Sequence, residues 1–138
     1  MPSQFRKVTE NFWVSPQVRE EHVRAAADAG FRTLINNRPD GEEPGQPRAG
    51  DIEAAAKQAG IAYRFVPIIR GIGPADVEAM QQAMREAGDG KLLAFCRSGT
   101  RSALACALAK REEGASREEV ERSLTAAGFD PGPIAHLL

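Results

Sequence analysis

The sequence predicts an α/β fold three layers deep, with a mainly parallel central sheet and helices on both faces. Two observations predict it. Segments of strand character alternate with segments of helical periodicity through most of the 138 residues, the order that βαβ units produce. The apolar run Lys91–Phe95 also leads straight into a glycine-containing loop and then a helical pattern from Ala103 to Arg111, a strand, loop and helix in immediate succession.

Each element has its own signal. Lys7–Val14 reads as a short hairpin with Glu10-Asn11 at its turn. Ser15 and Pro16 have the chemistry of an N-cap and first helical residue, and Val18, His22, Ala25, Ala26 and Ala29 recur at helical spacing until Gly30. Phe31–Asn36 is a strand. The loop Asn37–Pro47 carries three prolines and two glycines, which exclude both helix and strand. Ala49–Ala59 is helical and stops at Gly60, and Ile61–Ile69 is rich in strand formers. After the loop Arg70–Gly73, Pro74 opens a helix to Ala87, and Gly88-Asp89-Gly90 turns the chain into Lys91. Ser116 and Glu119 have capping-box spacing for a further helix ending at Gly128, and Pro131–Leu138 has room for one short helical turn.

The chain length suits one domain, residues 1–138, with a sizeable core. A net charge of −1 gives no basic excess, so neither nucleic acid nor an anionic membrane is an expected partner. Met1–Lys7 lacks the apolar stretch of a signal peptide, no segment has the length to span a bilayer, and two cysteines suit a reducing compartment. The expected location is the cytoplasm. No His, Cys and carboxylate cluster has ligand spacing, so no metal and no cofactor is expected.

The chemistry concentrates in Cys96-Arg97-Ser98-Gly99-Thr100-Arg101-Ser102. Backbone N–H groups of such a loop and of the adjoining helix start converge on an anion, and the helix dipole adds partial positive charge. A cysteine there is expected to act as a thiolate nucleophile toward a small anionic group. Cys106 lies in the apolar helical stretch Ser102–Ala109 and reads as a packed thiol. As a resolving cysteine it would lie on the order of 10 Å away along the helix. His22 and His136 read as structural or terminal residues, and Trp13 as a core anchor. Asn36, Asn37 and Arg38, at the carboxyl end of a strand, are open to two readings, turn formers or substrate contacts.

The Cys loop resembles two families. Protein tyrosine and dual-specificity phosphatases place five residues between Cys and Arg, usually with a His before the Cys. Rhodanese sulfurtransferases have a loop one residue shorter, often Cys-Arg-x-Gly-x-Arg-Ser. Here four residues separate Cys96 from Arg101 and Phe95 precedes the Cys, so loop length matches rhodanese. Ile35–Glu43, Gly45–Pro47, Leu93–Ser102 and Ala127–Asp130 together resemble the bacterial beta-lactamase-hydrolase-like family, phosphatase-like domain, over nearly the whole chain. That resemblance implies a protein tyrosine phosphatase-like fold, an activity that is phosphatase-like in some members and sulfur transfer in others, and a metallo-hydrolase or persulfide-processing partner.

Phosphate-ester cleavage needs a cradle, a guanidinium and an acid for the leaving oxygen. Arg101 supplies the guanidinium, but Arg70–Gly73 holds no acid. The carboxylates on offer are Asp76, which also suits the first turn of its helix, and Asp40, Glu42 and Glu43 on the other rim. Sulfur transfer needs no such acid. Cys96 would take sulfur from thiosulfate or a persulfide, with Ser98, Gly99, Thr100 and Arg101 holding the persulfide anion, Ser102 stabilising the thiolate, and Arg97 facing either the incoming anion or solvent. The sequence therefore favours a rhodanese-type sulfurtransferase. Its alternatives are a phosphatase working through a phosphorylated Cys96, and an inactive anion-binding or docking module.

Overall fold

A computed structural model describes residues 1–138. Five strands form one sheet in the order β1-β2-β5-β3-β4. They are β1 (Arg6–Lys7), β2 (Phe12–Ser15), β3 (Phe31–Asn36), β4 (Ala62–Phe65) and β5 (Lys91–Phe95). All neighbours pair in parallel except β1, which returns antiparallel onto β2. The helices are α1 (Glu20–Asp28), α2 (Ala49–Ala59), α3 (Pro74–Ala87), α4 (Thr100–Glu112) and α5 (Arg117–Ala126), with a closing 3₁₀ turn at Gly132–Leu137. The predicted three-layer α/β class is the observed one.

The strand alternation builds two cores. On β5, Leu93 and Phe95 face one way with Phe31, Leu34, Val23 and Ile52, the layer of α1 and α2. Leu92 and Ala94 face the other way with Ile35, Met80, Leu104 and Leu124, the layer of α3, α4 and α5. A central parallel strand covered on both faces reads as a continuous apolar run, as Lys91–Phe95 does. Trp13 is half-buried and edge-on to Phe31, and its Nε1 is the one buried side-chain polar atom without a partner.

Three boundaries differ from the sequence expectation. Helix α1 starts at Glu20 rather than at Ser15-Pro16, because Ser15 is the last residue of β2, opposite Phe95. Its hydroxyl donates to the Pro16 carbonyl and accepts from Gln4, both at 2.8 Å, so His22 caps instead, accepting from Arg19 N at 2.9 Å. Strand β4 ends at Phe65 rather than Ile69, since Pro67 has no N–H for the ladder. Helix α4 begins at Thr100, earlier than Ala103, with Gly99 as its cap.

Strand register sets four strand ends level. Ser15, Phe95, Asn36 and Phe65, the last residues of four neighbouring strands, lie side by side. Four strands thus end flush, and the next residues of each spill onto one edge. In parallel sheets ligands bind beyond this edge, at the carboxyl ends of the strands.

Candidate active site

Cys96 is the first residue past β5 and has no solvent-exposed surface. Its N–H still reaches back to the Ser15 carbonyl at 3.4 Å, and the Arg97 carbonyl accepts from Gln17 N at 3.3 Å. The loop is therefore tied to the end of β2. Gly99 has φ +92, a left-handed conformation that side chains resist. That turn aims Gly99 N–H at Cys96 Sγ, 3.1 Å away. Thr100 N–H goes to Ser98 Oγ at 3.4 Å, while the amides of Ser98, Arg101 and Ser102 bond to nothing within the chain and stay available to an anion.

Arg101, on the first turn of α4, carries the site's charge. Its Nη1 and Nη2 grip both oxygens of Glu42, at 2.6 and 2.7 Å, and Nη1 also donates to the Ile68 carbonyl at 2.9 Å. Its Nε donates to no oxygen, and the guanidinium lies within reach of the Cys96 sulfur. The Glu42 carboxylate pushes the Arg101 guanidinium above its ordinary value, and Cys96 adds to this. Glu42 in turn is held down at about 2, first by its hydrogen bonds from Arg101 and then, against some burial, by those from Arg38. It is a fixed anion rather than a proton donor. Arg97 is exposed and leans on Glu43 at 3.5 Å.

Two further expectations are displaced. Ser102 makes no hydrogen bond to Cys96; its Oγ donates to Asn37 Oδ1 at 2.7 Å. Asn37 sits directly after β3, and its amide oxygen is a better acceptor than a cysteine sulfur. Asp76 accepts from Gly73 N at 2.9 Å and Asp40 from Ala49 N at 2.7 Å, at the starts of α3 and α2. Both candidate acids are turned to backbone N–H groups that the first turn of a helix leaves unpaired.

The segment Asn36–Glu43 contributes more than its sequence signalled. Asn36 Oδ1 accepts from Arg38 N at 2.9 Å, an Asx turn that reverses the chain. Asn37 donates from Nδ2 to the Val66 carbonyl at 2.9 Å and from its backbone N to Phe95 at 2.8 Å. Arg38 is 2 % exposed, with every guanidinium nitrogen engaged. The available signal was an arginine two residues past an apolar strand and followed closely by two glutamates.

No group of three or more His, Cys, Asp or Glu is arranged to hold a metal ion. No helix is long and apolar enough to cross a membrane.

A flush-ended parallel sheet that delivers a cysteine into an N–H-lined loop closed by an arginine defines the class of cysteine-loop proteins with the protein tyrosine phosphatase fold. Tk-PTP in its active form superposes with a TM-score of 0.74 over 99% of this chain and 95% of its own, at 19% identity. A candidate phosphatase from Neisseria meningitidis Z2491 gives a TM-score of 0.83 at 30% identity, covering 99% of this chain and 96% of that one. The family model for the beta-lactamase hydrolase-like protein, phosphatase-like domain, matches residues 4–113, and the chain belongs to that family. A beta-lactamase hydrolase-like protein of Xylella fastidiosa strain Temecula1 is 42% identical over 127 residues, 91% of this chain. Those residues are 29% of the relative's length, so this chain spans under a third of it. These likenesses side with the phosphatase alternative more than with sulfur transfer, which none of them names.

Proposed function

We propose that the chain is a cysteine-nucleophile enzyme acting on a small anion at the Cys96–Ser102 loop, and that the group it moves is a sulfane sulfur. The observation that carries this reading is that each of the four carboxylates the sequence offers as an acid is already engaged elsewhere. Asp40 and Asp76 cap helices, and Glu42 and Glu43 are held ionised by arginines. An alkoxide leaving group needs a proton at departure, whereas sulfite leaves as a stable anion. In the proposed step the Cys96 thiolate attacks the outer sulfur of thiosulfate. The new S–S bond forms as the old one breaks, sulfite departs with its electron pair, and Cys96 carries a persulfide anion. An acceptor thiolate then takes the terminal sulfur and restores the Cys96 thiolate. The available amides of Ser98, Arg101 and Ser102 would hold the anion.

Phosphate-ester hydrolysis is the second reading. It is supported by the family's phosphatase-like fold and by the Neisseria structure's description as a candidate phosphatase. Here Cys96 would carry the phosphoryl group, with Arg101 binding its oxygens and water supplying the missing proton.

One pair of assays separates the two. After incubation with thiosulfate, intact-mass spectrometry should show a gain of one sulfur, about 32 Da, on the wild type and none on Cys96→Ser. Aryl-phosphate turnover should remain near background. The absence of an adduct together with brisk Cys96-dependent phosphate release would reverse the assignment. Silence in both assays, with saturable sulfate binding, would reduce the chain to an anion-binding module. A metallo-hydrolase or persulfide-processing partner fits the family's longer members, in which this domain occupies 29% of the length.

A further inference from the structure

The buried guanidinium of Arg38 makes no hydrogen bond to Cys96 or its loop, yet it stands one residue away from both loop arginines. Its Nε donates to Glu42 Oε1 at 2.9 Å, its Nη2 to Glu43 Oε1 at 2.9 Å, and its Nη1 to Gln17 Oε1 at 3.1 Å. Each of those three partners touches the Cys loop. Glu42 takes the fork of Arg101, Glu43 draws in Arg97, and Gln17 N–H holds the Arg97 carbonyl. The result is an alternating chain of charge, Arg97–Glu43–Arg38–Glu42–Arg101, whose central member is 2 % exposed.

We infer that Arg38 is a positioning residue, which fixes Glu42 and Glu43 so that Arg101 meets the substrate anion already aimed and Arg97 is held over the entrance. The inference rests on the Cys96–Ser102 loop being the anion site, and is independent of whether sulfur or phosphoryl is transferred.

The physical argument concerns the loop between β3 and α2. Glu42 and Glu43 belong to an irregular segment with exposed backbone, and long side chains there lose much rotamer freedom on being ordered. A guanidinium cannot shed its charge and offers a rigid planar fork, so it directs two carboxylates at once where an ammonium would not. With Nη1 and Nη2 tied to Glu42 and Nη1 also to Ile68, Arg101 has little freedom left except at its Nε edge. That is the edge free for a substrate oxygen. An untethered Glu42 would instead compete with the substrate for Arg101 or release it to solvent.

The test uses inorganic phosphate as the probe, at constant ionic strength, following the ¹H–¹⁵N signals of Ser98, Arg101 and Ser102; the same spectra report folding. The wild type should show saturable shifts at these amides. Arg38→Met should weaken the affinity about tenfold or more in a protein that remains folded, and Arg38→Lys should fall nearer to Arg38→Met than to the wild type. Affinity within about twofold of wild type in Arg38→Met, or full rescue by Arg38→Lys, would overturn the positioning role. Should Arg38→Met unfold, Glu42→Gln breaks the same chain of contacts from the other side and should also weaken binding. Tighter binding by Glu42→Gln would make Glu42 a plug in the cradle and overturn the inference. No saturable shift in the wild type would overturn the anion-site reading and this inference with it, whereas equal affinities in wild type and variants would overturn the positioning role alone.

Discussion

Ser102 Oγ donates to Asn37 Oδ1 across 2.7 Å, with both side chains fully buried, and this bond joins the first turn of α4 to the end of β3. The direction is settled by the other half of the amide, because Asn37 Nδ2 already donates to the Val66 carbonyl. Ser102→Ala therefore leaves a buried carbonyl oxygen without its donor, which costs about 1–3 kcal/mol. Urea unfolding should show the loss as a lower midpoint with an unchanged slope. An unchanged midpoint would mean that the bond is not formed in solution.

Asp40 and Asp76 should behave as helix caps. Asp76→Ala and Asp40→Ala should each lower stability by on the order of 1 kcal/mol, while turnover per folded molecule stays within about twofold of wild type. Activity measured well below the unfolding temperature separates the two effects. A fall of orders of magnitude in aryl-phosphate turnover for either variant would identify a proton donor and restore phosphatase chemistry.

Glu42 makes stability depend on acid pH in a definite direction. Its carboxyl is held at about 2 in the folded chain, against an ordinary value of 4.5. Its contribution is therefore complete above pH 4.5 and is lost as pH falls from there through about 2. Glu43 is lowered too, by Arg38 first and Arg97 next, and works in the same sense. Urea midpoints recorded down this range should fall less steeply in Glu42→Gln than in wild type. Parallel curves would show that the Arg101–Glu42 pair does not persist in solution.

Cys106 is expected to be silent. Complete burial pushes its thiol up to about 12, with Lys110 only partly opposing this, so at pH 8 it remains protonated. Iodoacetamide should leave Cys106 unmodified under native conditions, in wild type and in Cys96→Ser alike, and add to it in denaturant, read by intact mass. Native labelling of Cys106 would refute its burial among the residues of α4, α5 and the hairpin.

The fold was legible because it depends on patterns that one sequence carries openly. The apolar run Lys91–Phe95, the glycine stops at Gly30 and Gly60, and Pro74 at a helix start all act locally. The α1 start was misplaced because Ser15-Pro16 satisfies a local rule that strand pairing with Phe95 overrides. In the site, the Cys loop was visible as a motif. The roles of Asn37, Arg38 and Glu42 were not. Their meaning comes from contacts such as Arg101 with Glu42, 59 residues apart in sequence, which no periodicity encodes. The acceptor of the Ser102 hydroxyl was illegible for the same reason, since it lies 65 residues away.

The complete burial of Arg38 bears on how this segment can change over generations. Removing the guanidinium leaves Glu42 to Arg101 and Glu43 to Arg97, whereas removing either carboxylate leaves part of a buried cation unpaired, so changes at these positions are expected not to add. A change at one of Arg38, Glu42 and Glu43 is therefore expected to alter what the other two tolerate. A descendant lacking only one of them should carry a compensating charge within reach of the other two.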